Sequence, residues 1–215
     1  MEKHITKYKK LLQQVDSWFQ TVMEKHFDIV KCRPGCFDCC QGLFDIGLLD
    51  AIFVQQGMKR LKPQQLQIIK EKARELIEKA KKIDKDFAPP YSLSEWDETR
   101  IDELVLNVGK VFCPFINDEG FCSIYEYRPL VCRLIGIPVI DISGEVIYVE
   151  GCEKNPLEKE GAFSPRLSLN YYQISKQEEE IIKELVNDLK DPKLRTDFRT
   201  FLPAVVLLDE LVKEK

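Results

Sequence analysis

Residues 31–42 read KCRPGCFDCCQG. Cys32, Cys36, Cys39 and Cys40 fall within nine positions, and the last two are adjacent. Pro34-Gly35 marks a turn and forbids a helix through the segment. A lone buried cysteine commonly serves as a small apolar side chain. A polar Pro-Gly loop is not a core strand, however, so these four cysteines read as ligands. Neighbouring side chains in extended backbone point to opposite sides. Cys39 and Cys40 are therefore expected to face two ligand sets, or two sides of one cluster.

Four further cysteines follow, Cys113, Cys122, Cys132 and Cys152, and most of the sequence between the two groups is helix-patterned and free of cysteine. An even total of eight suits disulfides as well as metal. The N-terminal stretch MEKHITKYKKLLQQVDSWFQ lacks the apolar core and small-residue cleavage site of a secretory leader. No apolar run approaches the ~18 residues of a membrane span. The expectation is a cytoplasmic protein in a reducing compartment, where clustered cysteines bind metal or act in redox chemistry. With 215 residues, 44% of them hydrophobic, the chain can bury a core without covalent staples. A net charge of −4 argues against a nucleic-acid surface, which shows a basic face.

Outward from the cluster the pattern is mostly helical. Ile5, Tyr8, Leu11, Leu12, Val15, Trp18, Phe19, Val22 and Met23 recur at helical spacing, which predicts a helix ending near Phe27. DIGLLDAIFVQQG predicts a short buried helix, with Asp45 as N-cap and Gly57 as stop. Pro63 opens another, with Leu66, Ile69, Ala73, Leu76, Ile77, Ala80 and Ile83 on one side. Ser94 is read as the cap of a helix through Leu106, with Asp97 at the third position of a capping box. Helix returns from about Asn170, and the last apolar stripe is FLPAVVLLDELVKEK.

Between Gly109 and Glu150 the pattern turns to strands. VFCPFI and FCSIY flank the turn-rich NDEG and predict a hairpin pairing Ile116 with Phe121. Cys122 would then lie diagonally from Cys113 on one face. YRPLVCRLIG predicts a helical turn opened by Pro129. IPVIDI and EVIYVE flank Ser143-Gly144, a two-residue turn that pairs Ile142 with Glu145. Continued, that register brings Cys152 opposite Ile135, close to Cys132. Eight thiolates suffice for two four-cysteine sites, and thiolates hold both zinc and iron–sulfur clusters.

Other residues near the cysteines carry weaker signals. Arg33, Arg128 and Arg133 flank cysteines and would offset thiolate charge, or serve as ordinary surface arginines. His26 is read as a helix-terminus residue rather than a ligand. Tyr125 and Tyr127 are read as packing residues.

Taken together, CRPGCFDCC, CPFINDEGFCSIYEYRPLVCRLIGIP and the later GC resemble the YkgJ-type cysteine-cluster proteins, which are described as zinc- or iron-chelating. The positions that carry the resemblance are Cys32, Cys36, Cys39, Cys40, Cys113, Cys122, Tyr125, Arg128, Pro129, Cys132 and Arg133, with Cys152 matching a later cysteine. Many members begin C-x2-C-x2-C-C, where this chain has C-x3-C-x2-C-C. The resemblance implies bound metal or an iron–sulfur centre in the cytoplasm. Flagellin lysine methylase is similar in its cysteine motif, which keeps a methylase-like transferase or redox enzyme open. Cys32, Cys36 and Cys39 also fit the spacing of radical S-adenosylmethionine enzymes. Asp38 stands where those carry an aromatic residue, and the chain lacks their series of βα units.

The sequence thus predicts an α+β fold, mainly helical with a small hairpin segment, its helices packed around a cysteine-rich metal site. The expectation is one domain over residues 1–215. Its metal ligands are expected to be Cys32, Cys36, Cys39, Cys40, Cys113, Cys122, Cys132 and Cys152, holding zinc, iron or an iron–sulfur cluster. An enzyme built on that centre and a zinc-stapled interaction module are the alternatives. A metal ion is the one partner expected; neither nucleic acid nor membrane is.

Overall fold

A computed structural model of the chain describes residues 1–148, 152, 154, 155 and 168–212. Among them are seven α-helices and two small antiparallel sheets of two strands each. The fold class is α+β and mainly helical, as expected. The chain forms two compact units, Met1–Cys39 with Leu130–Lys190, and Cys40–Pro129 with Asp191–Lys215. Neither unit is a continuous stretch of sequence.

The first unit is built on α1 (Glu2–Lys25), which packs against α5 (Leu130–Leu134) and α6 (Tyr171–Leu189). Ile5, Tyr8, Leu11, Leu12, Val15 and Val22 are buried along one side of α1, at the spacing that puts them on one face. Each fully buried apolar side chain of this kind contributes roughly 1.5–3 kcal/mol. On α6 the complementary stripe is Ile174, Ile181 and Leu185. Asn170 caps α6 by accepting the Gln173 N–H (3.3 Å). Arg133, buried on α5, is ion-paired with Asp16 of α1, so it is a packing residue rather than a counter-charge at the surface.

The hairpin of this unit joins β2 (Val139–Ile140) to β3 (Val146–Tyr148). Its register differs from the expected one. Asp141, not Ile142, is the partner of Glu145: the Asp141 N–H donates to the Glu145 carbonyl (2.8 Å), and the Gly144 N–H donates to the Asp141 carbonyl (2.8 Å). The buried Asp141 carboxylate accepts from the Ser143 N–H (2.7 Å). This Asx-type turn takes one residue more than a two-residue loop. A register irregularity between Val139 and Ile140 follows it.

The core of the second unit gathers Leu43, Ile77, Phe87, Leu93, Ile101, Leu104, Val108 and Phe201. Its helices are α2 (Leu48–Met58), α3 (Pro63–Ile83), α4 (Glu98–Val108) and the short α7 (Leu202–Val205). Pro63 does open α3. Asp45 does not cap α2: it lies in β1 (Asp45–Gly47), paired antiparallel with β4 (Arg199–Phe201). The Arg199 guanidinium holds it there, donating to Asp45 Oδ2 (2.5 Å) and to both oxygens of Glu98 (2.5 and 3.0 Å).

Three other expectations are corrected in this unit. Gly57 lies inside α2 rather than ending it. Asp97 itself caps α4, accepting the Arg100 N–H (2.9 Å), so that helix begins a turn later than Ser94 would have it. FLPAVVLLDELVKEK is not one helix: Phe201 belongs to β4, and α7 ends at Val205. Leu202, Ala204, Val205 and Val206 are all buried, so the segment is apolar all round because it is enclosed, not because it presents one face of a long helix.

Candidate metal centre

The first cysteine loop begins where α1 ends. The His26 N–H bonds to Val22 O (3.0 Å), and the Val30 N–H returns to His26 O (2.7 Å). His26 is thus a helix terminus, as read. Val30 is buried against Val22 and Ile137, with Trp18, Phe19, Met23, Ile29 and Cys32 around them. That packing fixes where the loop starts. Next comes a tight turn, Arg33-Pro34-Gly35-Cys36, closed by the Cys36 N–H donating to Arg33 O (2.9 Å). Pro at its second position and a glycine with φ +83° at its third are the requirements of a type II turn. The extra residue between Cys32 and Cys36 is therefore spent on that turn, and Arg33 points back to Lys31 O (3.3 Å).

Gly136, with φ +106°, follows α5 and forms the floor of the group. A Cβ on it would lie 3.9 Å from Cys32 Sγ and 4.0 Å from Cys39 Sγ. Its carbonyl accepts the Cys152 N–H (3.0 Å). Cys152 therefore lies at Gly136, one residue later than the expected Ile135; residues 149–151, through which the expected hairpin register would continue, lie outside the described residues. Asn155, 3% exposed, reaches the same floor. Its Nδ2 donates to Gly136 O (2.8 Å) and to Cys32 Sγ (3.1 Å), while its Oδ1 accepts the Lys31 N–H (2.7 Å). Burial pushes the Cys32 thiol up; the Asn155 N–H opposes this, and the neighbouring Cys39, Cys36 and Cys152 add to it. Lys154 pairs with Asp38, and its pKa is raised mainly by that bond, with Cys36 and Cys152 contributing. Cys132 is half-buried on α5 in the same unit.

Cys40, Cys113 and Cys122 belong to the second unit. The Cys113 N–H donates to Cys40 O (2.9 Å), and the Gly42 N–H to Val111 O (2.7 Å), with Gln41 and Phe112 bridged between them. The loop after Cys113 is one residue longer than the expected hairpin turn. Ile116 faces Cys122, not Phe121. Asn117 causes the shift, because its side chain accepts the N–H groups of Glu119 (3.1 Å) and Phe121 (2.8 Å) and lengthens the turn by one residue. The Cys113 thiol is pushed up to about 12 by burial, with Cys122 adding to this and the Phe115 N–H and Lys72 opposing it. Lys72 is anchored on Ile116 O (3.0 Å). Burial also raises Cys122, against the Ile124 N–H and Arg128. Arg128 stacks on the exposed Tyr125 ring at 4.0 Å, and Tyr127 packs on Phe53 at 5.0 Å.

All eight cysteines are half-buried, and none is joined in a disulfide. Among the described residues, no three Cys, His, Asp or Glu side chains already converge at ion-holding distance. The donor set is soft sulfur, suited to zinc and to iron–sulfur chemistry. Buried thiols crowd one another, while N–H groups of Asn155, Phe115 and Ile124 are aimed at sulfur. That is an environment in which a cation would balance the charge of ionised thiolates. His4 takes no part: it is buried on α1 and bonded to Asp188 of α6 (3.0 Å).

Asn155, Lys154, Gly136 and Lys72 were not singled out from the sequence. Asn155 lies three positions after Cys152 in an unpatterned stretch, and nothing in its spacing marks it. Gly136 carried a signal: a glycine between an apolar helical turn and a proline.

Residues 31–144 match the CxxCxxCC family, described as a putative zinc- or iron-chelating domain. No curated protein and no solved structure matches the chain. The family match spans just over half of the chain, includes every cysteine except Cys152, and on that ground the chain belongs to the CxxCxxCC zinc- or iron-chelating family.

Proposed function

We propose that the chain binds zinc, iron or an iron–sulfur centre through its clustered cysteines, in the reducing cytoplasm, and that residues 1–215 work as one domain. The observation that carries the reading is the grouping of Cys32, Cys39 and Cys152 about Gly136, with the Asn155 amide on sulfur. Cys36 and Cys132 are the further thiols of that unit, and Cys40, Cys113 and Cys122 those of the other. A bound metal would supply charge neutralisation and a cross-link between segments distant in sequence. Among the described residues, no helix is long and apolar enough to cross a membrane.

Two observations favour a stapling role for the metal. Among the described residues, the strand pairing between Lys25 and Asp45 is an isolated bridge at Gln41, and that within the Cys113–Cys122 segment is the bridge at Ile116. Segments with so little backbone pairing draw order from other sources, and structural metal is one of them. Anaerobic purification with elemental analysis and a visible spectrum tests the proposal. Stoichiometric zinc in a colourless protein, or iron in a brown one, supports it. A protein that takes up neither metal, with all eight thiols open to alkylation in the folded state, overturns it.

A further inference from the structure

We propose that Asn155 positions the Cys32 sulfur for metal, as an outer-sphere donor. The inference rests on the reading of the cysteines as ligands. Asn155 lies beyond the residues that match the family, yet it is buried, and both ends of its side chain are bonded.

The orientation of the amide follows from its partners. The Lys31 N–H needs an acceptor, at 2.7 Å, and the Gly136 carbonyl needs a donor, at 2.8 Å. Only one of the two flips of the amide satisfies both. That flip places an N–H 3.1 Å from Cys32 Sγ. A hydrogen bond to a ligating atom fixes that atom's orientation, so this contact holds Cys32 Sγ in one direction. The backbone of the same residue reinforces the arrangement. The Asn155 N–H donates to Cys152 O (2.7 Å), and the Cys152 N–H donates to Gly136 O (3.0 Å). Lys154, beside it, is paired with Asp38 between Cys36 and Cys39. One short segment thus brings a thiol, an amide and an ammonium group to the loop that starts at Lys31.

A side chain in this position acts through Cys32 rather than on the metal. Loss of such partners typically weakens metal binding by about 10–100-fold. Asn155→Asp keeps the size and the acceptor for Lys31 while replacing both donors by oxygen.

The test begins with the wild-type protein loaded with ¹¹³Cd under anaerobic conditions. Its Asn155 amide is followed by ¹H–¹⁵N NMR. One Nδ2 proton should move downfield on loading and couple to cadmium through the Cys32 sulfur, while the proton held by Gly136 should not couple. Asn155→Asp should bind Co²⁺ about 10–100-fold more weakly, with a shifted thiolate-to-cobalt band. An Asn155 amide that neither shifts nor couples in cadmium-bound wild-type protein overturns the proposal, whether or not the variant folds. So does a folded Asn155→Asp protein with unchanged cobalt affinity and spectrum. In both cases the wild type still binds metal and the cysteine reading stands. Wild-type protein that takes up no metal removes the cysteine reading and this inference together.

Discussion

Cys39 and Cys40 share a peptide bond and belong to different compact units. Cys39 lies over Gly136 with Cys32, while the carbonyl of Cys40 accepts the N–H of Cys113 (2.9 Å). The adjacent pair is thus divided between two groups of thiols. Cys39 lies in a turn rather than in extended backbone, so the separation comes from the different neighbours of the two residues and not from strand alternation. The two residues should not be interchangeable. Cys39→Ser should alter the metal environment that includes Cys32, and Cys40→Ser the one that includes Cys113 and Cys122. Cobalt stoichiometry and thiolate-to-metal bands measure this. Identical spectra from the two variants would contradict the division.

A second close relationship places the segment that follows Cys122. A Cβ on Gly57 would lie 2.6 Å from Cβ and 2.9 Å from Cγ of Tyr127. Tyr127 ends the 3₁₀ turn Tyr125–Tyr127, which rests on α2. Alanine is the better helix former by about 1 kcal/mol, and on propensity alone Gly57→Ala would stabilise α2. Contact at that distance forces backbone or ring to move, which costs typically 1–3 kcal/mol. The expected net result is a lower urea midpoint at unchanged m value. A midpoint equal to or above that of the wild type would show that the ring yields freely.

Long periodic elements were legible in the sequence, and short ones were not. The stripe from Ile5 to Val22, the Pro63 start and the return of helix at about Asn170 all stand as read, because many residues repeat one pattern there. β1 and β4 are three residues each and pair across most of the chain, so neither has a period to detect. Both hairpin registers slipped by one residue for the same reason: Asn117 and Asp141 bond to backbone N–H groups in their own turns, which lengthens each loop. Cys152 nonetheless lies one residue from its expected partner, at Gly136. Asn155 stayed invisible because its role comes from three segments brought together in space.

Acid should destabilise the second unit through carboxylates that are ionised and paired. Arg100 donates to Asp84 from Nε and Nη2, both at 2.8 Å, and this holds the Asp84 carboxyl below its ordinary range. Arg199 does the same for Glu98. A carboxyl whose folded pKa lies below its unfolded value contributes stability that is complete above the unfolded pKa, about 4. That contribution is lost as pH falls through the folded value. Asp84→Asn should therefore lower the urea midpoint at pH 7 and make it less sensitive to pH below about 5. Parallel curves for variant and wild type across that range would remove Asp84 from the account.

Metal removal should act first on the two segments with the least backbone pairing, residues 30–42 and 111–124. In the first, the Arg33–Cys36 turn and the Asn155 contacts hold the loop. In the second, the Asn117 turn and the Ile116–Cys122 bridge do so. Neither segment carries a helix longer than a turn, whereas α1, α3 and α6 are enclosed by their own apolar stripes. Metal–thiolate binding at a structural site contributes on the order of 10 kcal/mol to folding, as much as the whole stability of many domains. Chelation should open both segments to protease and lower the melting temperature, while helical circular dichroism falls much less. Limited proteolysis read by mass spectrometry, with and without chelator, locates the cuts. Equal protease resistance and equal melting temperature in the two states would mean that bound metal has no structural role.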